Sequence, residues 1–381
     1  MLIHLQPPEK LPRNLRSERR LWHDGVRHTL SLGCTSCLDR HVCGGLQVAR
    51  ALFDCLGFCC RHPKNCDAVC RNKPYEFARR VREVGGFAFE NVPRAAVLPS
   101  PKLPTLVPTL FHGDSRKAPF GASAAVCLPL YKVIHRHDGQ TRYASSPDLA
   151  EGFGISPNAP VILTGTASDP PLERWWSLGP QRRAVIRSLR GLGIAMVTTP
   201  NFSLFLDQPR WDDLHSMKRI AIVHEEFLSE GMPAALHVNA RTDRDWGRWR
   251  EYIGRRPEVS HIAFEFTTGA GWAGRIQWHA DQLAQLAAAA ARPLHLIVRG
   301  GRRVLPGLIA AFSGITVLET STFFKTVKRQ RATLTATGSV TWRPSPTNDS
   351  EPLDALLTDN WRVVAASYDG VLANPVYKMA E

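Results

Sequence analysis

The chain has 381 residues, of which 44% are hydrophobic and 8% aromatic, and it carries a formal charge of +14 at pH 7. This composition excludes an intrinsically disordered chain, because disorder combines low hydrophobicity with high charge. The excess of positive charge favours a polyanionic partner such as nucleic acid.

The sequence contains no stretch long and apolar enough to cross a membrane. Its longest candidate, residues 283–298, is interrupted by Gln285, Arg292 and Pro293. The first 20 residues are rich in charged side chains and prolines, which is not typical of a signal peptide. We therefore expect a cytoplasmic protein without a membrane partner; the sequence indicates no oligomeric state.

The positive charge is unevenly distributed along the chain. Residues 1–200 carry +12 of the +14, whereas residues 201–300 are neutral. We interpret this as a basic face, built mainly by the N-terminal half, that holds a nucleic acid. A second basic group is opposed only by Glu319 and comprises Arg302, Arg303, Lys325, Lys328, Arg329 and Arg331.

Eight of the nine cysteines form a cysteine block between residues 34 and 70: Cys34, Cys37, Cys43, Cys55, Cys59, Cys60, Cys66 and Cys70. In a reducing compartment such a cluster is expected to bind metal rather than to form disulfides. Thiolates suit zinc or an iron–sulfur cluster, and eight ligands suffice for two four-coordinate centres.

The spacing of these cysteines leaves the metal open. Only Cys34 and Cys37 form the Cys-x2-Cys knuckle of a zinc ribbon. Only fragments of a ferredoxin run occur, at Cys55-x3-Cys59 and Cys66-x3-Cys70. We expect a structural centre, because a lobe of about 50 residues struggles to build its own hydrophobic core.

After the cysteine block, residues 75–84 are predicted to form a basic helix, and residues 91–125 a proline-rich, partly extended segment. Beyond them, short apolar runs alternate with helical patterns. The predicted strands are 126–134, 161–165, 194–198, 234–239, 261–266, 294–298 and 315–319, and the predicted helices are 181–192, 214–230, 246–255, 277–291 and 304–312. The six strands from residue 161 onward, with one or two earlier ones, reach seven or eight, a count that favours an α/β fold of the (β/α)8 TIM-like type.

Active sites of such barrels lie at the carboxyl ends of the strands. Every predicted strand end carries a polar residue. We take Asp169, Asn239 and Glu265 as candidate catalytic residues, and the candidate substrate-binding residues are Asn201, Ser203, Arg241, Asp243, Trp272, Arg299 and Glu319.

Glu265 is the most informative of these residues. It lies between Phe264 and Phe266 in an apolar strand, where an unpaired carboxylate would be costly. Because side chains alternate along a strand, Glu265 should point opposite to both aromatic rings, into the lumen or mouth of the barrel. The alternative is a core ion pair with Arg241 or Arg299.

The other candidates also have structural alternatives. Asp169 suits the N-cap of a helix beginning at Pro170, while Asn201 and Asn239 suit loop ties. Several tryptophans near the presumed mouth suit either base stacking or packing of helices on the sheet.

The chain has neither the Gly-x-Gly-x-x-Gly fingerprint after its first strands nor a Gly-x4-Gly-Lys-Ser/Thr loop, so we expect no nucleotide cofactor. A basic face, carboxylates at a barrel mouth and aromatic residues suit cleavage of an N-glycosidic bond on a flipped-out base, which passes through an oxocarbenium-like state.

A family resemblance covers about residues 160–320. The motifs Val161–Gly165, Thr199–Ser203, Leu236–Asn239, Phe264–Gly269 and Arg299–Gly301 resemble in order the barrel of tRNA-guanine transglycosylases and their DNA-acting relatives. A phage-defence DNA glycosylase that acts on modified bases is similar in general plan. The resemblance implies a TIM-like barrel that removes or exchanges a base, and its DNA-acting branch favours DNA over RNA as the substrate. The cysteines here precede the barrel, whereas the transglycosylase zinc site follows it, and the family's catalytic aspartates have no match.

The sequence therefore predicts a cysteine-rich metal lobe over residues 1–85, a barrel over 86–342 with a proline-rich leading segment, and an extension over 343–381. The predicted function is a nucleic-acid glycosylase or transglycosylase acting on a modified base, in phage defence. The alternatives are a non-catalytic nucleic-acid-binding component of a defence or mobile-element system, and an iron–sulfur redox enzyme.

Overall fold

A computed structural model describes residues 80–204, 210–271, 274–348 and 351–372, together with two antiparallel two-residue strands, Thr29–Leu30 and Gln47–Val48. The cysteine block and Trp272 lie outside the described residues.

Eight parallel strands form the central sheet: β1 (Leu106–Pro108), β2 (Val126–Pro129), β3 (Val161–Thr164), β4 (Met196–Thr198), β5 (Ala234–His237), β6 (His261–Glu265), β7 (His295–Arg299) and β8 (Gly314–Glu319). From β2 to β8 each strand pairs with its neighbour in chain order, and β8 returns to pair with β1. Leu110 N donates to Cys127 O at 2.9 Å, which brings the chain after β1 onto β2. The sheet is therefore a nearly closed TIM-like barrel, as predicted.

The helices are α1 (Leu130–Val133), α2 (Ser146–Phe153), α3 (Asp169–Ser177), α4 (Gln181–Gly191), α5 (Arg210–Ser229), α6 (Asp243–Gly254), α7 (Ile276–Ala290), α8 (Leu305–Ala311), α9 (Ser321–Val327) and α10 (Asp354–Leu372). A hairpin of β9 (Gln330–Leu334) and β10 (Val340–Pro344) lies between α9 and α10. No helix in the described part of the chain is long and apolar enough to cross a membrane.

The barrel interior is arranged in layers. Its middle layer is apolar and almost fully buried, comprising Val107, Cys127, Ile162, Met196, Ala235, Ala263, Ile297 and Leu318. Side chains two residues away on the same strand point to the same side of a sheet. The middle layer therefore fixes which polar residues face the lumen above and below it.

The structure corrects the bounds of one early strand and locates another. The predicted strand 126–134 ends at Pro129, and Leu130–Val133 are helical. The proline-rich segment contains β1, a strand of three residues. Proline does not prevent pairing at β1, because Thr109 N, after Pro108, donates to Glu319 O at 2.7 Å.

No helix follows β1 in the described residues, and α10 contacts the loop after it instead. Asp354 accepts hydrogen bonds from the backbone N–H groups of Lys117 and Ala118, at 3.1 and 2.9 Å to the nearer oxygen. Trp361 Nε1 donates to Ala122 O at 3.0 Å. The C-terminal helix is thus tied to a loop more than 200 residues earlier in the chain.

The chain divides into two compact units. The first unit comprises residues 1–93, 202–223 and 238–252; the second comprises residues 94–201, 224–237 and 253–381 and contains all eight barrel strands. Within the first unit, Phe89 stacks on Trp249 with ring centroids 4.8 Å apart, and Arg80 pairs with Asp212 at 3.2 Å.

Candidate active site at the carboxyl-terminal mouth of the barrel

Three polar side chains form the layer above the apolar middle of the barrel: His237, Glu265 and Arg299. Each stands two residues after a middle-layer residue, on β5, β6 and β7 respectively. They therefore face the lumen at the carboxyl ends of adjacent strands, which is where catalytic residues of such barrels lie. We call this layer the mouth.

Glu265 is held by an arginine and a threonine. Arg299 Nη1 donates to its Oε2 at 3.2 Å, and Thr267 N donates to its Oε1 at 2.8 Å; the Thr267 hydroxyl also donates to Oε1. The residue is 3% exposed. Burial raises the pKa of Glu265 above its ordinary value, and the nearby Arg299 charge opposes that rise. The carboxylate is consequently a stronger base than an exposed glutamate.

His237 is buried beside this pair. Its backbone N donates to Thr199 Oγ1 at 2.8 Å, whereas its ring Nδ1, also buried, has no hydrogen-bond partner within the described residues. Burial, and then the Arg299 charge, lower the pKa of His237 to about 3. The imidazole is therefore neutral at pH 7, with a ring nitrogen available to a ligand.

Arg299 also has unused hydrogen-bonding capacity. Its Nε is buried without a partner in the described part of the chain, while its Nη1 holds Glu265. A buried guanidinium N–H is costly to leave unpaired, so the site is suited to an acceptor group on a ligand.

Three hydroxyl groups lie at the same end of the barrel, two at the ends of β3 and β4 and one on α1. Thr164 Oγ1 and Thr198 Oγ1 lie 3.5 Å apart, and Tyr131 Oη donates to Gly165 O at 3.2 Å. Desolvation raises the pKa of Tyr131 well above its ordinary value, so its hydroxyl stays protonated. Below them, burial raises the pKa of the Cys127 thiol to about 12, which makes Cys127 a poor nucleophile.

Glu319 was a candidate substrate-binding residue, and its contacts assign it another role. Leu318, not Glu319, belongs to the lumenal layer, so Glu319 points away from the lumen. It accepts hydrogen bonds from Ser321 N at 2.7 Å, from Thr322 N at 3.1 Å and from the Ser321 hydroxyl. Because this carboxylate caps the first turn of α9, we leave it out of the proposed site.

Asp169 and Asn201 follow β3 and β4 at the same end of the barrel. Asp169 is exposed and is the first residue of α3, a position where a carboxylate favours the helix dipole. Asn201 is half-buried.

Four further candidates belong to the first unit. Asn239 Nδ2 donates to Phe202 O at 3.1 Å, and Arg241 Nε donates to Leu204 O at 2.8 Å. Both side chains thus tie the loop that contains Ser203. Asp243 is the first residue of α6.

Four of the tryptophans considered for base stacking are buried packing residues. Trp175, Trp176, Trp246 and Trp249 are buried, and Trp175 stacks on Phe227 with ring centroids 5.7 Å apart. These four serve packing, as the structural alternative expected.

No metal-binding group of three or more ligands occurs among the residues that the structure describes.

His237 is the member of the mouth that the sequence prediction missed. It stands at the last position of its strand, two residues after Ala235. The signal was present, since Glu265 and Arg299 also end their strands, but an isolated histidine in an apolar run equally suits a core position.

Comparison with known proteins adds no assignment: no protein-family model matches the chain, and no curated protein matches it.

Proposed function

We propose that the protein removes or exchanges a modified nucleobase in nucleic acid, DNA rather than RNA, with Glu265 as general base. The observation that carries this proposal is the buried Glu265–Arg299 pair beside the neutral His237 at the barrel mouth.

The chemistry that these three side chains suit is hydrolysis of an N-glycosidic bond. A water oxygen attacks C1′ of the sugar while the bond between C1′ and the base nitrogen breaks. The electron pair of that bond leaves with the base, and the proton of the attacking water passes to Glu265. Glu265 then returns the proton to the departed base, which restores the carboxylate; in an exchange reaction a second base replaces water.

Arg299 and His237 have the properties needed to assist departure of the base. The unpaired Arg299 Nε is a donor for the electron-rich leaving base, and a neutral imidazole binds a base edge without competing for the positive charge of the sugar. A base must leave the duplex stack to reach a barrel mouth, so the proposal includes base flipping.

Charge supports a nucleic-acid substrate. Residues 1–200 carry +12, and an excess of this kind attracts a phosphate backbone. Modified DNA of the kind found in phages is the substrate class that the resemblance to DNA-acting transglycosylase relatives favours, and phage defence is the corresponding role.

The test is base release from modified and unmodified DNA and from RNA, with released bases identified by mass spectrometry. Glu265→Gln keeps the size of the side chain and removes its basicity, so we expect base release to fall roughly 100- to 10,000-fold. His237→Gln should lower it less, because it changes leaving-group assistance alone.

Glu258→Gln is the matched control. Glu258 is also buried and paired with arginine, bonding Arg94 at 2.7 Å, but it precedes β6 and so lies at the opposite end of the strand that carries Glu265. Unchanged release in Glu265→Gln, or no base release by the wild type from any of these substrates, would overturn the proposal. A wild type that binds DNA without releasing a base would favour a non-catalytic binding protein.

A further inference from the structure

The segment from α9 to β10 carries basic side chains and no acidic ones. Residues 320–348 contain five lysines and arginines without a single aspartate or glutamate: Lys325, Lys328, Arg329, Arg331 and Arg343. We call residues 321–344, comprising α9, β9 and β10, the basic hairpin.

Two arginines face each other across the hairpin. Arg331 on β9 is directly opposite Arg343 on β10, and both are exposed. Like charges at directly opposed positions of an antiparallel pair destabilise the pair. The two arginines therefore repel each other across the hairpin, and an anionic ligand bound to this face would relieve the repulsion.

α10 lies along the free edge of β9, and burial separates the two faces of the hairpin: Ala332 is buried, whereas Arg331 and Arg343 are exposed and point outward. Ala332 N donates to Asn360 Oδ1 at 2.7 Å, and Asn360 Nδ2 donates to Gln330 O at 2.8 Å. Ala332 alternates with Arg331 along β9 and pairs with Trp342, which places these two on the inner face.

In the described part of the chain, acidic side chains neutralise only some of the lysines and arginines of the basic hairpin. Arg331 bonds Asp359 at 3.0 Å, but Asp359 also contacts Arg362 at 3.6 Å. Lys328 and Arg343 are exposed and have no acidic partner among the described residues.

We propose that the outer face of the basic hairpin, together with the exposed Lys328 directly after α9, binds the phosphate backbone of the nucleic acid whose base enters the mouth. This face carries only cationic and hydroxyl side chains, Arg331, Thr333, Thr341 and Arg343, which are phosphate-binding groups. The exposed apolar residues nearby, Phe324, Val327 and Leu334, lie on α9 or on the other face of the hairpin, so the arginine face lacks the apolar anchors of a protein interface.

This inference rests on the proposed nucleic-acid substrate. The position of the basic hairpin in the chain suits phosphate binding near the mouth. β8 ends at the mouth side of the barrel, and α9 starts two residues later. Seven helical residues advance about 10 Å, so the hairpin follows within reach of a strand whose nucleotide occupies the mouth.

The test is a salt titration of binding to a fluorescein-labelled unmodified DNA duplex, followed by fluorescence anisotropy. The double variant Lys328→Gln/Arg343→Gln should bind roughly ten- to fiftyfold more weakly, and the slope of log affinity against log salt concentration should become less steep by about 1.8, or about 0.9 for each lost phosphate contact.

The matched control is Arg190→Gln/Arg255→Gln, which removes the same charge from two exposed positions at the end of α4 and directly after α6, on the side of the barrel opposite the mouth. Its affinity and slope should stay close to those of the wild type. If the hairpin variant behaves like this control, the inference is wrong. Poly-glutamate binding that depends on Lys328 and Arg343, with DNA binding unchanged, would also overturn it and would indicate an acidic protein partner.

Base release separates this inference from the proposed function. The hairpin variant should lose kcat/KM and keep kcat, because the mouth is intact. If the hairpin variant loses DNA affinity while Glu265→Gln releases bases normally, the hairpin inference stands and the assignment of Glu265 fails. If the hairpin variant binds DNA as the wild type does while Glu265→Gln loses base release, the assignment of Glu265 stands and the hairpin inference fails.

Discussion

Histidines occupy both ends of the barrel lumen: His237 and His261 are buried and His295 is half-buried. His237 lies at the mouth, and His261 and His295 begin β6 and β7 at the opposite end, with ring centroids 5.0 Å apart. His295 Nε2 is 2.9 Å from Thr316 Oγ1, and His261 Nδ1 is 2.9 Å from Ser260 Oγ. Hydroxyl partners suit neutral rings, and two protonated rings at this separation would repel each other.

This arrangement makes folding stability depend on pH. Burial lowers the pKa of both His261 and His295 to about 4, with the neighbouring ring also lowering that of His261. As pH falls below about 6.5, these histidines bind protons in the unfolded chain but not in the folded barrel. Their contribution to the free energy of unfolding is therefore fully present above that pH and is lost as pH falls toward 4.

We therefore expect the free energy of unfolding to decrease between pH 7 and pH 5, by roughly 1–3 kcal/mol for each of these histidines. Urea denaturation at the two pH values measures it. His261→Gln should reduce the decrease, whereas His137→Gln, at an exposed turn, should leave it unchanged. An equal pH dependence in His261→Gln and the wild type would contradict the account.

At the scale of elements, hydrophobic periodicity predicted the barrel well, because its strands are apolar on both faces and its helices are amphipathic. Helices such as Gln181–Gly191 and Ile276–Ala290 match their predicted bounds to within one residue. The strand Leu106–Pro108 was not located in the sequence, because its three residues carry no period and the prolines around it suggest a loop. Barrel closure, which is non-local, provides the pairing that local sequence does not indicate.

Local sequence also does not distinguish the two glutamates that end strands. Glu265 and Glu319 occupy the same place in the sequence pattern, each ending an apolar strand. Their difference lies in which face of each strand points into the barrel, and an apolar run on both faces does not reveal this. The mouth was thus predictable as a set of strand ends, but not residue by residue.

Glu319→Gln should weaken the start of α9 and leave the chemistry intact. Loss of the charged cap is expected to lower the free energy of unfolding by about 1–2 kcal/mol, because two backbone N–H groups lose a carboxylate acceptor. Thermal or urea unfolding measures the first effect, and base release the second. The control is Glu151→Gln, an exposed position on α2. A loss of base release as large as that of Glu265→Gln would return Glu319 to the active site.

At the scale of the whole molecule, the cysteine block is the largest feature that the proposed function has yet to use. Its eight cysteines lie in the first 100 residues, which also carry a charge of +7. We propose that they hold zinc or an iron–sulfur cluster and that this metal-stabilised segment contributes to binding of the polyanion.

The metal prediction is tested on protein purified without oxygen. An iron–sulfur protein should be brown, absorb near about 400 nm and bleach with dithionite, whereas a zinc protein should be colourless with stoichiometric zinc. Cys34→Ser/Cys37→Ser should reduce the metal content, and Cys127→Ala, which changes the buried barrel thiol, should not. Wild-type protein with neither metal would contradict the prediction.

The attachment of α10 to the loop after β1 has a consequence for biosynthesis. That loop has no helix of its own, and its backbone donors are satisfied by Asp354, 236 residues later at Ala118. During translation, N-terminal segments generally fold first, but here the first βα connection stays uncovered until α10 leaves the ribosome. Contacts across so long a sequence separation form slowly, so we expect this connection to be exposed until synthesis of the chain has passed α10.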